Sequence, residues 1–330
     1  MSVMSIEQST IHVKGKPIRV PSARVEGRTV IRRGRYIKVA SVAHEDLIEG
    51  DTVKDLALFI AELKRSGLKA DLFTYGQRLP ETVPKQNFEI EWETAAAIPI
   101  TNFAQWLKER AEYSTRKAIT RAQKIGVVVK EVELDDDFVA AVQPIYNEIP
   151  VRQGRAFWHY GKDLQAIKDE LATFLERSIF LGAYYHDTLI GFVKMTWVGR
   201  IGTLTLILSM KQHFDKKPNN ALIAEAVRVC EARGMTHLTY GNYVYNAPDS
   251  TLTGFKRRNG FEPIPLPRYL VPLNVKGWIV LKLRLHRSIA EIAPKPLLSF
   301  FLKMRKRWSE YKLKNKTAAH CDESRNERSP

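Results

Sequence analysis

Two cysteines in 330 residues, Cys230 and Cys321, are too few for a disulfide framework or a zinc site. Cys230 follows Ala226 and Val227 in a helical run and reads as a packed core thiol, while Cys321 stands in a polar tail. No uncharged apolar stretch approaches the roughly 18 residues that a membrane span needs. The opening MSVMSIEQSTIHVKGK has no apolar core of signal-peptide length. No internal repeat at a fixed period is visible. These absences lead us to expect a cytoplasmic protein without bound metal, with any membrane contact peripheral and on the inner face.

Charge of one sign is missing from the middle of the chain. The net charge is +16, from 52 Lys/Arg against 36 Asp/Glu, yet residues 39–275 carry twenty-nine of each. The excess lies at the ends, +7 over residues 1–38 and +10 over 276–316, with −1 in the tail 317–330. A duplex-binding protein builds its basic footprint into the folded domain, so dedicated DNA binding is excluded. Basic extensions fit an anionic membrane surface or a tRNA better.

What is present is alternating β and α pattern. Residues 1–27 lack periodicity and read as a flexible basic arm. Val30-Ile31 and Tyr36 to Val42 read as strands, and Asp51 or Thr52 caps a helix that Gly67 ends. Ala70 to Tyr75 and Phe88 to Trp92 follow as strands. A long helix is expected from Asn102 to Ile125, burying Phe103, Trp106, Leu107, Ala111, Ala118, Ala122 and Ile125. Arg110, Lys117, Arg121 and Lys124 share one basic face of that helix. From Gly126 the order is β-α-α-β-β-β-α-β-α-β-β, with His186-Asp187 as a hairpin turn and Gly234 as a helix stop. After residue 275 a basic amphipathic extension runs to 316, with the stripe Leu297, Phe301, Met304, Trp308 and Tyr311 among cations. Residues 317–330 read as a disordered tail.

The order over 126–274 resembles the GNAT acyltransferase fold element for element, and FKRRNGFEPI resembles the helix, Gly-Phe turn and strand that close such a domain. RAEYSTRKAITRAQKIGVVV resembles the basic helix followed by Gly-Val of the Fem-type peptidoglycan-bridge aminoacyltransferases, whose chains hold two GNAT-like lobes. The resemblance implies an α/β (α+β) protein with a mixed, mainly antiparallel sheet flanked by helices, residues 28–125 forming a reduced first lobe. It also implies acyl-CoA (acetyl-CoA) or aminoacyl-tRNA as co-substrate, with nothing bound permanently. A backbone amide at a bulge within TLTLILSM would then polarise the acyl carbonyl. The pyrophosphate loop maps onto Lys216, Lys217, Asn219, Asn220 and Ala221, where helix-terminal amides would face phosphate. Asn219 stands in place of a glycine. Many GNAT enzymes carry a tyrosine four residues before the Gly of the Gly-Phe turn; Lys256 stands there, a cation able to neutralise a leaving group. Tyr243 and Tyr245 are substitute proton donors.

The segment Arg152-Gln153-Gly154-Arg155-Ala156-Phe157-Trp158-His159-Tyr160 suits an anionic, ring-bearing acceptor. Arg152 and Arg155 match phosphate or carboxylate in bidentate geometry, Gln153 adds hydrogen bonds, and Trp158 and Tyr160 offer flat faces to a sugar or base. His159 is a candidate base, with Glu148 upstream as a second. Arg110, Lys117 and Arg121 would border a nucleotide-sugar or tRNA. The expectation is N-acyl transfer to an amine of an envelope or surface-polysaccharide precursor. The alternative is a catalytically inactive GNAT-fold scaffold at a membrane, and a third reading is RNA binding through the basic ends.

Overall fold

The computed structural model describes residues 6–13, 16–152, 155–244 and 250–286. β1 (Glu7–Val13) and β2 (Lys16–Val25) pair antiparallel, and Glu26-Gly27, both at positive φ, turn β2 into β3 (Arg28–Arg33). Two consecutive left-handed residues make a tight turn whose twist matches that of its strands. From Glu7 onward the expected flexible arm is therefore a pair of strands. Ala23 and Val25 alternate inward onto the core that Val30 also joins. Ser22, polar yet buried beside Ala23, blurs that alternation, and Glu-Gly stands where Asn-Gly would have announced the turn.

β4 (Val39–Val42) leads to α1 (Leu56–Arg65), whose first turn is capped by the Asp55 carboxylate on the Leu58 amide at 3.0 Å, not by Asp51 or Thr52. α1 buries Leu56, Phe59 and Leu63 and returns the chain to β5 (Leu72–Gly76), parallel to β4. β6 (Glu89–Pro99) follows.

The single helix expected over 102–125 is two helices. α2 (Phe103–Gln105) runs into a π-turn at Trp106–Arg110, Ala111 leaves the helical region, and α3 (Tyr113–Lys124) starts afresh. The break aims donors at a remote helix end. The Glu112 amide (2.9 Å) and Thr115 hydroxyl (2.8 Å) reach the Arg258 carbonyl, and Trp106 Nε1 reaches that of Asn259 (3.1 Å). Carbonyls at a helix end lack intrahelical partners, so satisfying them offsets the interruption. The buried stripe moves to Thr115, Ile119 and Ala122, and Ile125, expected inside, is exposed.

The rest follows the expected order, except that a short hairpin stands where a loop was expected: β7 (Val128–Val132), α4 (Asp136–Asn147), the hairpin β8 (Val151–Arg152) and β9 (Arg155–Ala156), then α5 (Leu164–Leu171). The meander is β10 (Ser178–Tyr185), β11 (Thr188–Val198) and β12 (Ile201–Ser209), turned at His186-Asp187, both at positive φ. α6 (Pro218–Ala232), β13 (His237–Asn242) and α7 (Thr251–Arg258) come next. The two strands expected last are one, β14 (Glu262–Pro272). Prolines argue against an interior strand, but Pro263, Pro265 and Pro267 fall at every second residue. Their missing N–H groups therefore all lie on one side. That side is open, because over 262–267 β14 pairs with β6 and meets β5 only from Arg268 onward.

The twelve strands form one mixed, mainly antiparallel sheet in the order β1-β2-β3-β4-β5-β14-β6-β13-β12-β11-β10-β7. Its halves repeat a motif, since β4-α1-β5 and β12-α6-β13 are both parallel crossovers. Each half then hands its next strand across the middle. β6 pairs with β13, and β14 pairs with β5. Separate cores lie under α1 (Phe59, Phe73), under α6 (Trp106, Leu222, Val227) and under α4 and α5 (Phe138, Tyr146, Phe192). α8 (Val275–Lys282) belongs to a second compact unit that begins at Asn274. The stripe 297–311 and the tail 317–330 lie outside the described residues.

Candidate active site

β12 and β13 pair for three residues only, Ile201–Thr203 against His237–Thr239, and then part. At the same level β12 bulges: Met195 faces Leu204 and Lys194 faces Leu206, which leaves Thr205 as the extra residue. The Thr205 hydroxyl donates to the Lys194 carbonyl at 2.9 Å. A bulge releases backbone from the ladder. A parting pair with a bulged rim is thus a slot in which a carbonyl can meet a backbone donor. The expected bulge within TLTLILSM is at this place.

The α6 N-terminus follows the end of β12. A 3-10 turn over Lys211–Lys216 ends at Lys217, which is left-handed (φ 60°), and Pro218 opens the helix. The left-handed residue is Lys217, whereas Asn219, the glycine substitute, has ordinary helical backbone. Lys217 donates its amide to Phe214, while Asn220 and Ala221 both donate to the Lys217 carbonyl. Pro218 has no N–H, so Asn219 holds the remaining amide of this stretch. Lys216 Nζ lies 3.3 Å from Asp215 and 5.1 Å from the Tyr185 ring centroid. This terminus offers phosphate two cations and few amides.

α7 carries Lys256 at the other wall. Its side chain is fully buried, Nζ donates to the Asn242 carbonyl at the end of β13 (2.6 Å), and it sits 4.5 Å over the Tyr240 ring. Burial pushes this ammonium down to about 8. Lys256 is thus no surface member of its basic run. Beside it, Tyr243 lines an open cleft of about 300 Å³ with Arg110, Arg257, Phe261 and Glu262. Arg110 ion-pairs with Glu262 there, and the break after the π-turn takes it off the face that Lys117 and Arg121 keep, exposed, on α3. Tyr245 and Gln153 lie outside the described residues, as does the Arg155 side chain.

The loop after α4 is more interior than its composition suggests. The Glu148 carboxylate accepts the amides of Lys211 (2.6 Å) and Gln212 (2.9 Å), capping the turn before α6, with Arg152 3.6 Å away. A carboxylate held by two amides serves as a cap. Arg152 donates to the Ile145 carbonyl (3.0 Å) and covers the Phe157 ring at 4.4 Å, so it fastens the loop and is not poised for an anion. His159 is buried, its ring centroid 3.5 Å from that of Trp158 and 4.5 Å from that of Tyr146, both rings tilted against it. Its Nδ1 lies 3.2 Å from Glu170 Oε1 but off the line of a hydrogen bond. Burial lowers its pKa against the pull of Glu170. Buried under these rings, the imidazole helps anchor the loop. Trp158 (46 % exposed) and Tyr160 (47 %) remain presented to solvent.

Three groups escaped the sequence reading. Buried Asn259 takes a hydrogen bond from Asn220 Nδ2 (3.1 Å) on its side-chain oxygen and returns one to Phe255 (2.8 Å). It therefore ties the α6 N-terminus to α7 and, through its own carbonyl, to Trp106. Its place just before Gly260-Phe261 was the available signal. Lys194 caps the end of α5, donating to the carbonyls of Leu171 (2.8 Å) and Thr173 (2.5 Å) and to the Thr173 hydroxyl (2.9 Å). A lone lysine in TLIGFVKMTWV marked it. Glu170 escaped too; it binds Lys162 at 2.5 Å and faces His159.

No protein-family model matches this sequence, and no curated protein matches it. Solved structures do match. FemX superposes with a TM-score of 0.53 at 10 % identity, over 84 % of this chain and 90 % of its own. L-PGS from Bacillus licheniformis gives 0.51 at 13 % identity, over 79 % of this chain and 86 % of its own. A tandem GNAT protein from the clavulanic acid biosynthesis pathway matches more distantly, at 0.42 and 11 % identity over 78 % of this chain and 83 % of its own. Identities this low speak to architecture and leave chemistry to the residues. The chain shares its fold with FemX and with L-PGS, a mixed, mainly antiparallel sheet flanked by helices.

Proposed function

We propose that this protein is an N-acyltransferase working in the slot between β12 and β13, on an amine of an anionic cell-envelope or surface-polysaccharide precursor. The observation that carries the reading is the coincidence of the Thr205 bulge with the parting of the two strands, flanked by the buried Lys256 on α7. The acyl carbonyl would lie against backbone freed by the bulge. The neutral amine attacks the carbonyl carbon, a C–N bond forms, the bond to the donor's sulfur or ribose oxygen breaks, and the proton shed by the amine ends on that leaving atom. Lys256 and Tyr243 would meet the charge on that leaving atom, a reading supported by the Lys256 contact with the end of β13 and the place of Tyr243 in the adjoining cleft. Trp158 and Tyr160 would hold the acceptor's ring, with Lys117 and Arg121 bordering a nucleotide or tRNA.

The α6 N-terminus bears on the donor. One proline and three engaged amides weaken the phosphate cradle of an acyl-CoA enzyme. This favours aminoacyl-tRNA over acyl-CoA, and it is also what supports the second reading, an inactive GNAT-fold scaffold. The test is a transfer assay. The purified chain is incubated with amine-bearing nucleotide-sugars and either acetyl-CoA or charged tRNA, and acceptor mass is followed. A mass increase by one acyl or aminoacyl group supports the proposal. No product with either donor, from folded protein, supports the scaffold.

A further inference from the structure

α8, read by itself, has an outward face of the wrong character for water. Asn274 caps the helix through the Gly277 amide (2.8 Å), and Gly277 and Val280 are buried on one side. The other side holds Val275 (76 % exposed), Trp278, Ile279 and, just past the helix, Leu283 (59 %), at helical spacings of three, four and eight from Val275. A solvent-facing helix side is normally polar; one apolar on both sides lies in a core or in lipid. Lys276, Lys282 and Arg284 surround this face, residues 275–286 contain no acid, and Lys282 lies 5.6 Å over the Trp278 ring. The sequence that follows, 287–316, adds nine Lys/Arg against two Glu.

We propose that α8 docks the protein on an anionic phospholipid bilayer. Trp278, Ile279 and Leu283 would enter the acyl-chain boundary, while Lys276, Lys282 and Arg284 meet the headgroups. Lipid fits better than nucleic acid because four aliphatic side chains (Val275, Ile279, Leu283 and Leu285) gain nothing from a phosphate backbone. Among the described residues no helix is long and apolar enough to cross a membrane.

The experiment is flotation of the full-length chain with phosphatidylcholine vesicles, with and without about 30 % phosphatidylglycerol. Three proteins are compared: wild type, Ile279→Glu/Leu283→Glu and Lys282→Glu/Arg284→Glu. These positions are exposed, so unchanged unfolding temperatures verify the fold. Wild type should float only with the anionic vesicles, and each double variant should lose roughly tenfold or more in binding. Three results overturn the proposal: no flotation of wild type, equal flotation of the Ile279→Glu/Leu283→Glu variant, or binding to tRNA that outcompetes vesicles and ignores that variant.

Discussion

Two buried lysines behave differently from what their neighbours in sequence suggest. Lys256 stands in a basic run yet is fully buried, and Lys194 stands in an apolar strand yet caps a helix. A lysine's sequence context gives its strand or helix; it does not give the facing carbonyls that decide whether burial is tolerated. Burial holds the Lys194 ammonium at about 8, below its ordinary 10.5. Between those values the folded protein binds fewer protons than the unfolded chain, so stability rises with pH across that window. Below about 8 both states keep the proton and the full desolvation cost remains. For Lys194→Met the wild-type-minus-variant unfolding free energy should therefore be flat below pH 7. From pH 8 to 10 it should climb, by up to about 1.4 kcal/mol per pH unit; denaturant titrations at stepped pH read it. For Lys256→Met the account expects a fall in kcat of about a hundredfold with the fold retained, checked by single-turnover transfer beside a melting curve. Unchanged kcat removes Lys256 from the leaving-group role.

At the level of elements, the periodicity of the second half was legible because its strands and helices alternate with clear turn signals at His186-Asp187 and Gly234. The exceptions share a cause, which is long-range hydrogen bonding. No residue in 102–125 forbids a continuous helix; it breaks because the Arg258 and Asn259 carbonyls, some 150 residues on, need donors. β14 reads as two strands because its prolines look like breakers until the neighbouring strands are known. Trp106→Phe keeps an aromatic ring but removes one donor and part of the buried volume, so it should cost about 2–4 kcal/mol in chemical denaturation. The bulge offers a cleaner test. Deleting Thr205 leaves Met195 facing Leu204 and Lys194 facing Leu206, so the β11–β12 ladder stays in register. Transfer should be lost while the melting temperature moves by only a few degrees; retained transfer would detach the chemistry from the bulge.

The whole molecule is a repeat that leaves no repeat in the sequence. Two parallel crossovers on different residues need only the same alternation of strand and helix, so the likeness lives in topology alone. The strand exchange was equally hidden, because pairing partners of β6 and β14 are not encoded in either strand. It makes the lobes one folding unit. A fragment of residues 126–274 would carry β14 without β5 and β6, exposing both of its edges. Such a fragment should show no cooperative melting, whereas residues 6–286 should melt in a single transition. The central claim, that the β12–β13 slot accepts an acyl donor, is tested most directly by thermal unfolding of wild type and the Thr205 deletion with each donor in turn. Ligand at a hundred times its dissociation constant adds about 2.7 kcal/mol to stability, on the order of 5–10 °C for a chain of this size. The account predicts that charged tRNA or acyl-CoA raises the melting temperature of wild type, and that the deletion loses most of that rise. No shift of wild type with either donor would contradict it.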